Sequence, residues 1–166
     1  EITEGSGDGV LYVTDATEYV EWLQEIDGDT MELTFRRKKG FGVLPSGEAA
    51  YACLVIPKDG QFQTIELDAS AGYVNAAALA AEELKIDTEA GAVDVDSARV
   101  QELEIDCKAG EVNFRGVVES KLEADCNVGN VDLFLEGAAS DFNYELDANT
   151  GSIDIDGQSY SGLKKE

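Results

Sequence analysis

The feature that most constrains the fold is a repeat of about 19 residues that fills the C-terminal two thirds of the chain. Five copies follow one template: apolar, charged, apolar, Asp, three residues, Gly, any residue, Val or Ile, Asn or Asp, apolar. They begin at Ile65, Leu84, Leu103, Leu122 and Tyr144, so successive starts lie 19, 19, 19 and 22 residues apart. Five copies in one register indicate an architecture in which each repeat stacks on its neighbours.

Each copy alternates apolar and polar residues with a period of two. In the third copy Leu103, Ile105 and Cys107 face one way, while Glu104 and Asp106 face the other. This pattern is typical of half-buried β-strands, and the template glycine predicts a bend between two short strands. The structural glycines are Gly72, Gly91, Gly110, Gly129 and Gly151.

A repeat of this length is too short for a strand–helix–strand crossover, and none of the repeats has helical periodicity. Parallel strands that stack about 4.8 Å apart are the remaining solution. We therefore predict an all-β fold, a parallel β-solenoid or β-helix with about five regular rungs of 19–22 residues, one rung for each repeat. Because crossovers between parallel strands are nearly always right-handed, we predict a right-handed coil.

Irregular strands precede the repeats. Val10 to Thr14 and Ala50 to Ile56 are predicted strands, the second of which ends at Pro57. Met31 to Arg37 alternates like a strand. Glu18 to Ile26 fits both a helix and a strand, and we favour a strand in a hairpin with Met31 to Arg37.

These patterns predict one domain over residues 10–163, after a flexible segment 1–9. Irregular strands and a cap span 10–64, regular repeats span 65–155, and a C-terminal cap spans 156–163. The longer last spacing predicts a loop around residues 137–140. Because the chain starts at Glu1 without Met, we expect its natural N-terminus to have been removed.

Composition excludes several classes of function. The 166 residues include 35 acidic and 12 basic side chains and no His, for a net charge of −23. Such a chain repels nucleic acid and anionic lipid, while its 43% hydrophobic content argues against disorder. Without His there is neither a Ser-His-Asp triad nor a His-bearing zinc site. No apolar run reaches 18 residues, so we expect no membrane insertion.

The template Asp is the candidate ligand position. This acidic column consists of Asp68, Asp87, Asp106, Asp125 and Asp147. Stacked carboxylates about 5 Å apart repel one another by roughly 1 kcal/mol per neighbour even in water. We favour the interpretation that each Asp accepts a backbone N–H at its bend. The alternative is weak Ca²⁺ binding by oxygen ligands, although the GGxGxD motif of calcium-loaded β-rolls is missing. No other metal or cofactor is predicted.

A second polar position, three residues after the glycine, mostly alternates amide and carboxylate. This mixed column consists of Asn75, Asp94, Asn113, Asp132 and Asp154. Because an Asn amide can donate to an Asp above or below it, we interpret the column as a structural side-chain ladder.

Cys107 and Cys126 occupy one template position in successive rungs, in an inward column with Ala69, Thr88 and Ala148. Directly stacked parallel neighbours are poorly oriented for a disulfide. We therefore predict free, buried thiols that act as small apolar residues. The third cysteine, Cys53, has no evident partner.

Neither remaining charged feature predicts catalysis. The basic run of residues 36–39 is interpreted as a solvated turn, with docking on an acidic face or an anionic polymer as the alternative. Acidic pairs of the glycosidase type are compatible with so many carboxylates, but no convergent cluster can be identified. We predict that the chain is not an enzyme and assign no catalytic residue.

The segments LVIPKDGQFQTIELDASAG, ELKIDTEAGAVDV and ELEIDCKAGEVNF resemble a bacterial family of β-helical domains classed as adhesins, of unknown function. The resemblance covers about Ala50 to Ile155. Members often carry Ser-Gly-Asp at the bend, whereas this chain has other residues around its glycines. The resemblance implies an extracytoplasmic β-helix associated with the cell envelope.

The expected function is a non-catalytic cell-surface scaffold or adhesion module whose partner is a protein or a glycan surface. The alternatives are a carbohydrate-active β-helix enzyme and a cation-binding structural module. The expected state is either a monomer or an end-to-end stack.

Overall fold

A computed structural model describes residues 2–5, 10–13, 20–27, 30–38, 52–57, 60, 62–137, 143–160 and 164–165. All regular secondary structure in these ranges is β-strand, which confirms the all-β prediction. The strands are β1 (Ile2–Gly5), β2 (Val10–Val13), β3 (Val20–Asp27), β4 (Thr30–Arg37), β5 (Ala52–Pro57), β6 (Phe62–Ala69), β7 (Gly72–Ala77), β8 (Ala80–Thr88), β9 (Gly91–Leu135), β10 (Asn143–Ala148), β11 (Ser152–Ile155), β12 (Gln158–Tyr160) and β13 (Lys164–Lys165).

The strand pairing makes one repeat equal to one rung. β6 pairs with β8 in parallel, and β8 pairs with β9, so that Asp68 lies opposite Asp87 and Asp87 opposite Asp106. On the next side of the coil β7 pairs with β9, with Gly72 opposite Gly91. Every one of these partners is 19 residues further along the chain. The parallel β-solenoid of about five rungs is confirmed.

The last rung confirms the longer spacing. β10 and β11 pair in parallel with the later part of β9, with a register of 22 residues. β9 itself has 45 residues, which as a straight strand would extend roughly 150 Å. Because its different parts pair with β7, β8, β10 and β11, it winds through several rungs.

The core lies inside the coil and is built from the inward template positions. The Val or Ile position after the glycine is fully buried in four successive rungs, at Val93, Val112, Val131 and Ile153. Phe114 is the largest fully buried side chain. Each such side chain contributes about 2 kcal/mol of hydrophobic stabilisation when it leaves water. The apolar positions of the repeat therefore hold successive rungs together.

Extra strands cover the N-terminal edge of the coil. β1 pairs in parallel with β5, and its Ile2 also lies opposite Ala76 of β7. β2 pairs with β5 in the antiparallel direction. Ile2–Gly5 thus forms a strand, whereas the sequence predicted a flexible segment over 1–9. The physical reason is that β5 and β7 would otherwise expose unpaired backbone groups at the sheet edge.

The predicted hairpin of the N-terminal region is confirmed. β3 and β4 pair in the antiparallel direction from Val20 opposite Arg37 to Asp27 opposite Thr30, as a separate two-stranded sheet. The predicted strands around β2 and β5 are also present, although Pro57 belongs to β5 and does not follow it. Lys39, the side chains of Arg36 and Arg37, and the side chain of Cys53 lie outside the described residues.

The C-terminal end is covered by antiparallel strands. A turn at Asp156 and Gly157, with φ of 50° and 80°, returns the chain so that β12 pairs with β11. Two positive φ values in succession suit a tight β-hairpin. β13 pairs with β10 in the antiparallel direction. Residues 138–140 of the predicted loop lie outside the described residues.

Candidate functional site

The mixed column runs along the side of the solenoid formed by β7, β9 and β11. Asn75 lies opposite Asp94, and Asp132 lies opposite Asp154. Between them the Nδ2 of Asn113 donates a hydrogen bond of 2.7 Å to Oδ1 of Asp94, one rung away. This bond confirms the predicted ladder for that pair, because the amide supplies the donor that two stacked carboxylates would lack.

A tyrosine adds a second donor to the same carboxylate. The hydroxyl of Tyr73 donates to Oδ2 of Asp94 in the next rung, and Nδ2 of Asn75 donates to the Tyr73 hydroxyl at 3.2 Å. Asp94 is therefore held by neutral donors from the rungs on both sides. The Tyr73 ring extends over this network and remains 60% exposed.

Next to the ladder an open depression of about 440 Å³ lies in the same face. We call it the ladder groove, and it is lined by Asn75, Asp94, Asp96, Asn113, Arg115 and Phe134. The guanidinium carbon of Arg115 lies 5.1 Å from the ring centroid of Phe134, within cation–π range. The Nε of Arg115 lies 3.9 Å from Oδ1 of Asp96, so the arginine is positioned by both neighbours.

The C-terminal part of the mixed column has two carboxylates in succession. The pKa of Asp132 is raised above 3.8, first by partial burial and then by the charges of Asp154 and Glu111. Asp154 receives a hydrogen bond from the hydroxyl of Ser159, which belongs to the covering strand β12. The Ser159 hydroxyl thus supplies Asp154 with a donor, as the Asn113 amide does for Asp94.

The acidic column runs along the side formed by β6, β8, β9 and β10. Partial burial raises the pKa of Asp87, and the charge of Asp106 adds to this, whereas Lys108 opposes it. Partial burial and then Asp147 raise the pKa of Asp125 in the same way. Partial burial is thus the first cause of both raised pKa values, and the like charges in the row add to it.

The hydrogen-bond donors to the acidic column differ from those that the sequence predicted. Among the described residues, the hydrogen bond onto it comes from the hydroxyl of Ser70 to Asp68 at 3.3 Å. The bend N–H groups donate instead to backbone carbonyls, from Glu89 to Ala69 at 3.2 Å and from Asn149 to Cys126 at 3.0 Å. These bend N–H groups therefore donate to backbone carbonyls of the neighbouring rung and not to the Asp side chains.

The acidic column also lacks the geometry of a cation cage. In the described ranges, no three Cys, Asp or Glu side chains converge to form a metal site. Parallel register places each Asp beside the Asp above and the Asp below, in a line. Calcium sites in proteins instead surround the ion with six to eight oxygens.

The template glycines have a structural role, but positive φ is only part of the reason. Gly72 has a φ of +124° and open space around its Cα. Gly110 is different, because a Cβ there would lie 2.2 Å from the backbone oxygen of Gly91 in the preceding rung. The inner bends need glycine because successive backbones approach too closely for any side chain.

The inward cysteine column matches its prediction in the described residues. Cys107 and Cys126 are free and buried, in the same stack as Ala69, Thr88 and Ala148. Burial, followed by the neighbouring Cys107, raises the pKa of Cys126 to about 12. A thiol with so high a pKa is held in its neutral form, so it behaves as a small apolar side chain.

Sequence reasoning missed Arg115 and Phe134 of the ladder groove, and it missed Tyr73, whose hydroxyl contacts Asn75 and Asp94 at the groove. A signal for the aromatic pair was available, because both lie at outward positions of a strict two-residue alternation. Tyr73 takes the place that Ala, Glu, Asn or Ser holds in the other copies. A large ring at a solvent-facing position of an otherwise polar surface indicates a function beyond packing.

Comparison with known proteins gives one match. The sequence profile of the family described as Toastrack DUF4097 matches residues 2–166. No curated protein and no solved structure matches the chain. Within the described residues no helix has the length and apolar character needed to cross a membrane.

Proposed function

The chain belongs to the Toastrack DUF4097 family, and on that premise we propose that it is a non-catalytic scaffold or interaction module of the cell envelope. The observation that carries this proposal is the parallel register of β6 to β11 within the described residues 62–137 and 143–155. Such a coil presents fixed rows of outward side chains at the strand spacing of about 4.8 Å. A rigid array of this kind suits recognition of an extended partner.

The arrangement of the carboxylates supports a non-catalytic role. Glycosidases place two carboxyl groups on opposite sides of the bond that is broken. Here the registers place described carboxylates side by side on one surface, as with Asp87 and Asp106, or in hydrogen bonds with amides, as with Asp94 and Asn113. Neither arrangement places two carboxyl groups on opposite sides of a cleft, and the Asp94 oxygens are already engaged in hydrogen bonds.

The repeats from Ala50 to Ile155 resemble extracytoplasmic β-helical domains, which supports exposure outside the cytoplasm. The net charge of −23 has a different role, because it keeps a stack of strands soluble and resists side-to-side pairing. We extend this proposal to a monomer, because β1, β2, β12 and β13 pair with the edges of the coil at its two ends.

Three measurements test the proposed function. Protease treatment of intact cells that express the protein should degrade it, and full protection until lysis would contradict the envelope location. Incubation with a panel of polysaccharides should release no reducing sugar, and turnover above a heat-denatured control would favour the carbohydrate-active alternative. Sedimentation velocity should give one concentration-independent monomer, whereas growth with concentration would indicate end-to-end stacking.

A further inference from the structure

We propose that the ladder groove, together with the adjoining Tyr73, binds a neutral glycan chain, with Tyr73 and Phe134 as the stacking residues. The inference rests on the proposed interaction-module function and names the class of its partner. It uses three features of this face: exposed aromatic rings, a row of amides and carboxylates that can hydrogen-bond to hydroxyl groups, and an excess of carboxylates over cations.

The aromatic rings are the first feature. Tyr73 and Phe134 are 60% and 45% exposed, and they are the two exposed large aromatic side chains of the described residues. Both lie on the side of the coil that carries the mixed column. The C–H groups of a pyranose ring are attracted to the electron-rich face of an aromatic ring, as edge-to-face aromatic pairs are. Arg115 lies over the Phe134 ring, so a sugar there contacts the part of the ring that stays exposed, while Tyr73 offers the larger exposed surface.

The spacing of the rings selects an elongated ligand. Asn75 pairs with Asp94 of the next rung, and Arg115 contacts both Asp96 and Phe134, so the two rings are three rungs apart. At the spacing of parallel strands this corresponds to about 14 Å along the coil. The depression between them is shallow and open, which suits a chain of several sugar rings better than a small enclosed ligand.

The polar groups between the rings suit hydroxyl groups. The Asn75 amide keeps one N–H donor and its oxygen, since its other N–H reaches Tyr73. The Asn113 amide donates to Asp94 and Glu111, so it presents its oxygen as an acceptor, and the carboxylates of Asp94 and Asp96 also accept. The Tyr73 hydroxyl and Asn113 amide already fix the orientation of Asp94, so its remaining lone pairs have defined directions. Binding to preoriented groups costs little side-chain entropy.

Charge decides which glycan fits. Asp94 and Asp96 outnumber Arg115 in the groove, and Asp132 and Glu111 add negative charge nearby. A uronic acid polymer or a phosphate-bearing chain would be repelled by this surface and by the net charge of −23. A peptide strand would need unpaired backbone groups, whereas β7, β9 and β11 pair with one another beneath the groove. A neutral glycan meets neither obstacle.

The test uses the full chain and titration calorimetry with hexasaccharides. The neutral probes are β-1,4-linked glucose, N-acetylglucosamine and mannose hexamers, and the anionic probe is a galacturonate hexamer. We expect at least one neutral hexamer to bind and the galacturonate hexamer not to bind. Tyr73→Ala and Phe134→Ala should each weaken the bound hexamer about tenfold, the effect of one lost ring contact.

Two further variants control for stability and for non-specific contacts. Tyr73→Phe keeps the ring and removes the hydroxyl, so it should bind more tightly than Tyr73→Ala. Val128→Ala shortens an apolar side chain that is 54% exposed and lies outside the groove, so it should bind like the wild type. Thermal melts of all four variants show whether each is folded at the temperature of the titration.

Three results would overturn the inference: no binding of any neutral hexamer, equal binding of the galacturonate hexamer, or wild-type affinity in both alanine variants. Each would leave the proposed interaction-module function in place. Hydrolysis of a bound neutral hexamer would have the opposite meaning, since it supports the glycan site and contradicts the non-catalytic function.

Discussion

The acidic column and the mixed column have the same stacked geometry and opposite chemistry. In the acidic column Asp87 lies between Asp68 and Asp106, so each carboxylate has a like charge on both sides. In the mixed column Asp94 lies between Asn75 and Asn113, and neutral donors reach both of its oxygens. Neighbouring carboxylates therefore repel one another in the acidic column, whereas at the same spacing the side chains around Asp94 in the mixed column form hydrogen bonds.

The comparison shows which outward residues can be repeated in successive rungs of a parallel solenoid. A parallel register places every template position beside itself, so a charged residue that recurs in each rung is repelled by its own copies. Partial burial raises the pKa of Asp87 and Asp125 in the acidic column and of Asp132 where the mixed column has two acids in a row, and the neighbouring copy adds to each rise. Alternating an amide with the acid removes the conflict.

The largest expected effect lies at the bends that join the two sides. Gly110→Ala would place a Cβ 2.2 Å from the carbonyl oxygen of Gly91, so we expect a loss of about 3 kcal/mol of unfolding free energy. Gly72→Ala adds strain from its positive φ but meets no atom within 4 Å, and should lose about 1 kcal/mol. Urea unfolding measures both. Equal losses would mean that close rung approach is not the reason for the inner glycines.

Asn113→Asp converts the mixed column into a second acidic column. The variant loses the donor to Asp94 and adds a like charge beside it, so we expect a loss of about 1–2 kcal/mol. Asn127→Asp is the matched control, since it adds the same charge at a residue that already acts as an acceptor, from the Asn149 amide. If both variants melted at the same temperature, the ladder would have no net stabilising effect.

Asp106→Asn is the reverse exchange and introduces an amide into the acidic column. It removes repulsion from Asp87 and supplies a donor, so we expect a gain of about 0.5–1 kcal/mol. Glu82→Gln removes the same charge from an exposed position outside both columns and should change stability less. A destabilised Asp106→Asn variant, measured by urea unfolding, would show that the carboxylate has a stabilising partner.

The raised pKa values predict a smaller effect of pH. In the folded state Asp87 and Asp125 titrate above the ordinary value of 3.8, so the folded protein binds protons more readily than the unfolded chain. Their contribution to stability therefore rises as the pH falls from neutrality through the raised pKa values, and it is complete below 3.8. The Asp87→Asn/Asp125→Asn double variant should show a flatter dependence of melting temperature on pH. An equal slope in both proteins would contradict the assignment.

Much of this comparison could be predicted from the sequence, because a fixed period determines which residues stack. The register of Asn113 on Asp94, the burial of Cys107 and the solenoid itself follow from spacing and alternation alone. The contact of Arg115 with Phe134 does not, since it depends on side-chain directions that the period leaves open. Ile2–Gly5 has too few residues for a periodic signal, and its partner β5 is distant in the chain.

The smallest expected effect separates general screening from specific cation binding. A linear row of carboxylates attracts a diffuse cloud of cations, whereas a calcium site requires oxygens around one point, and no such convergence occurs in the described residues. Raising NaCl should therefore increase the melting temperature modestly. Millimolar CaCl₂ should have the same effect as NaCl of equal ionic strength, and EDTA should have none. A rise in melting temperature that is specific to CaCl₂ and disappears in Asp106→Asn would instead show that the acidic column binds Ca²⁺. The repulsion among its carboxylates would then be the cost of a binding function that the mixed column lacks.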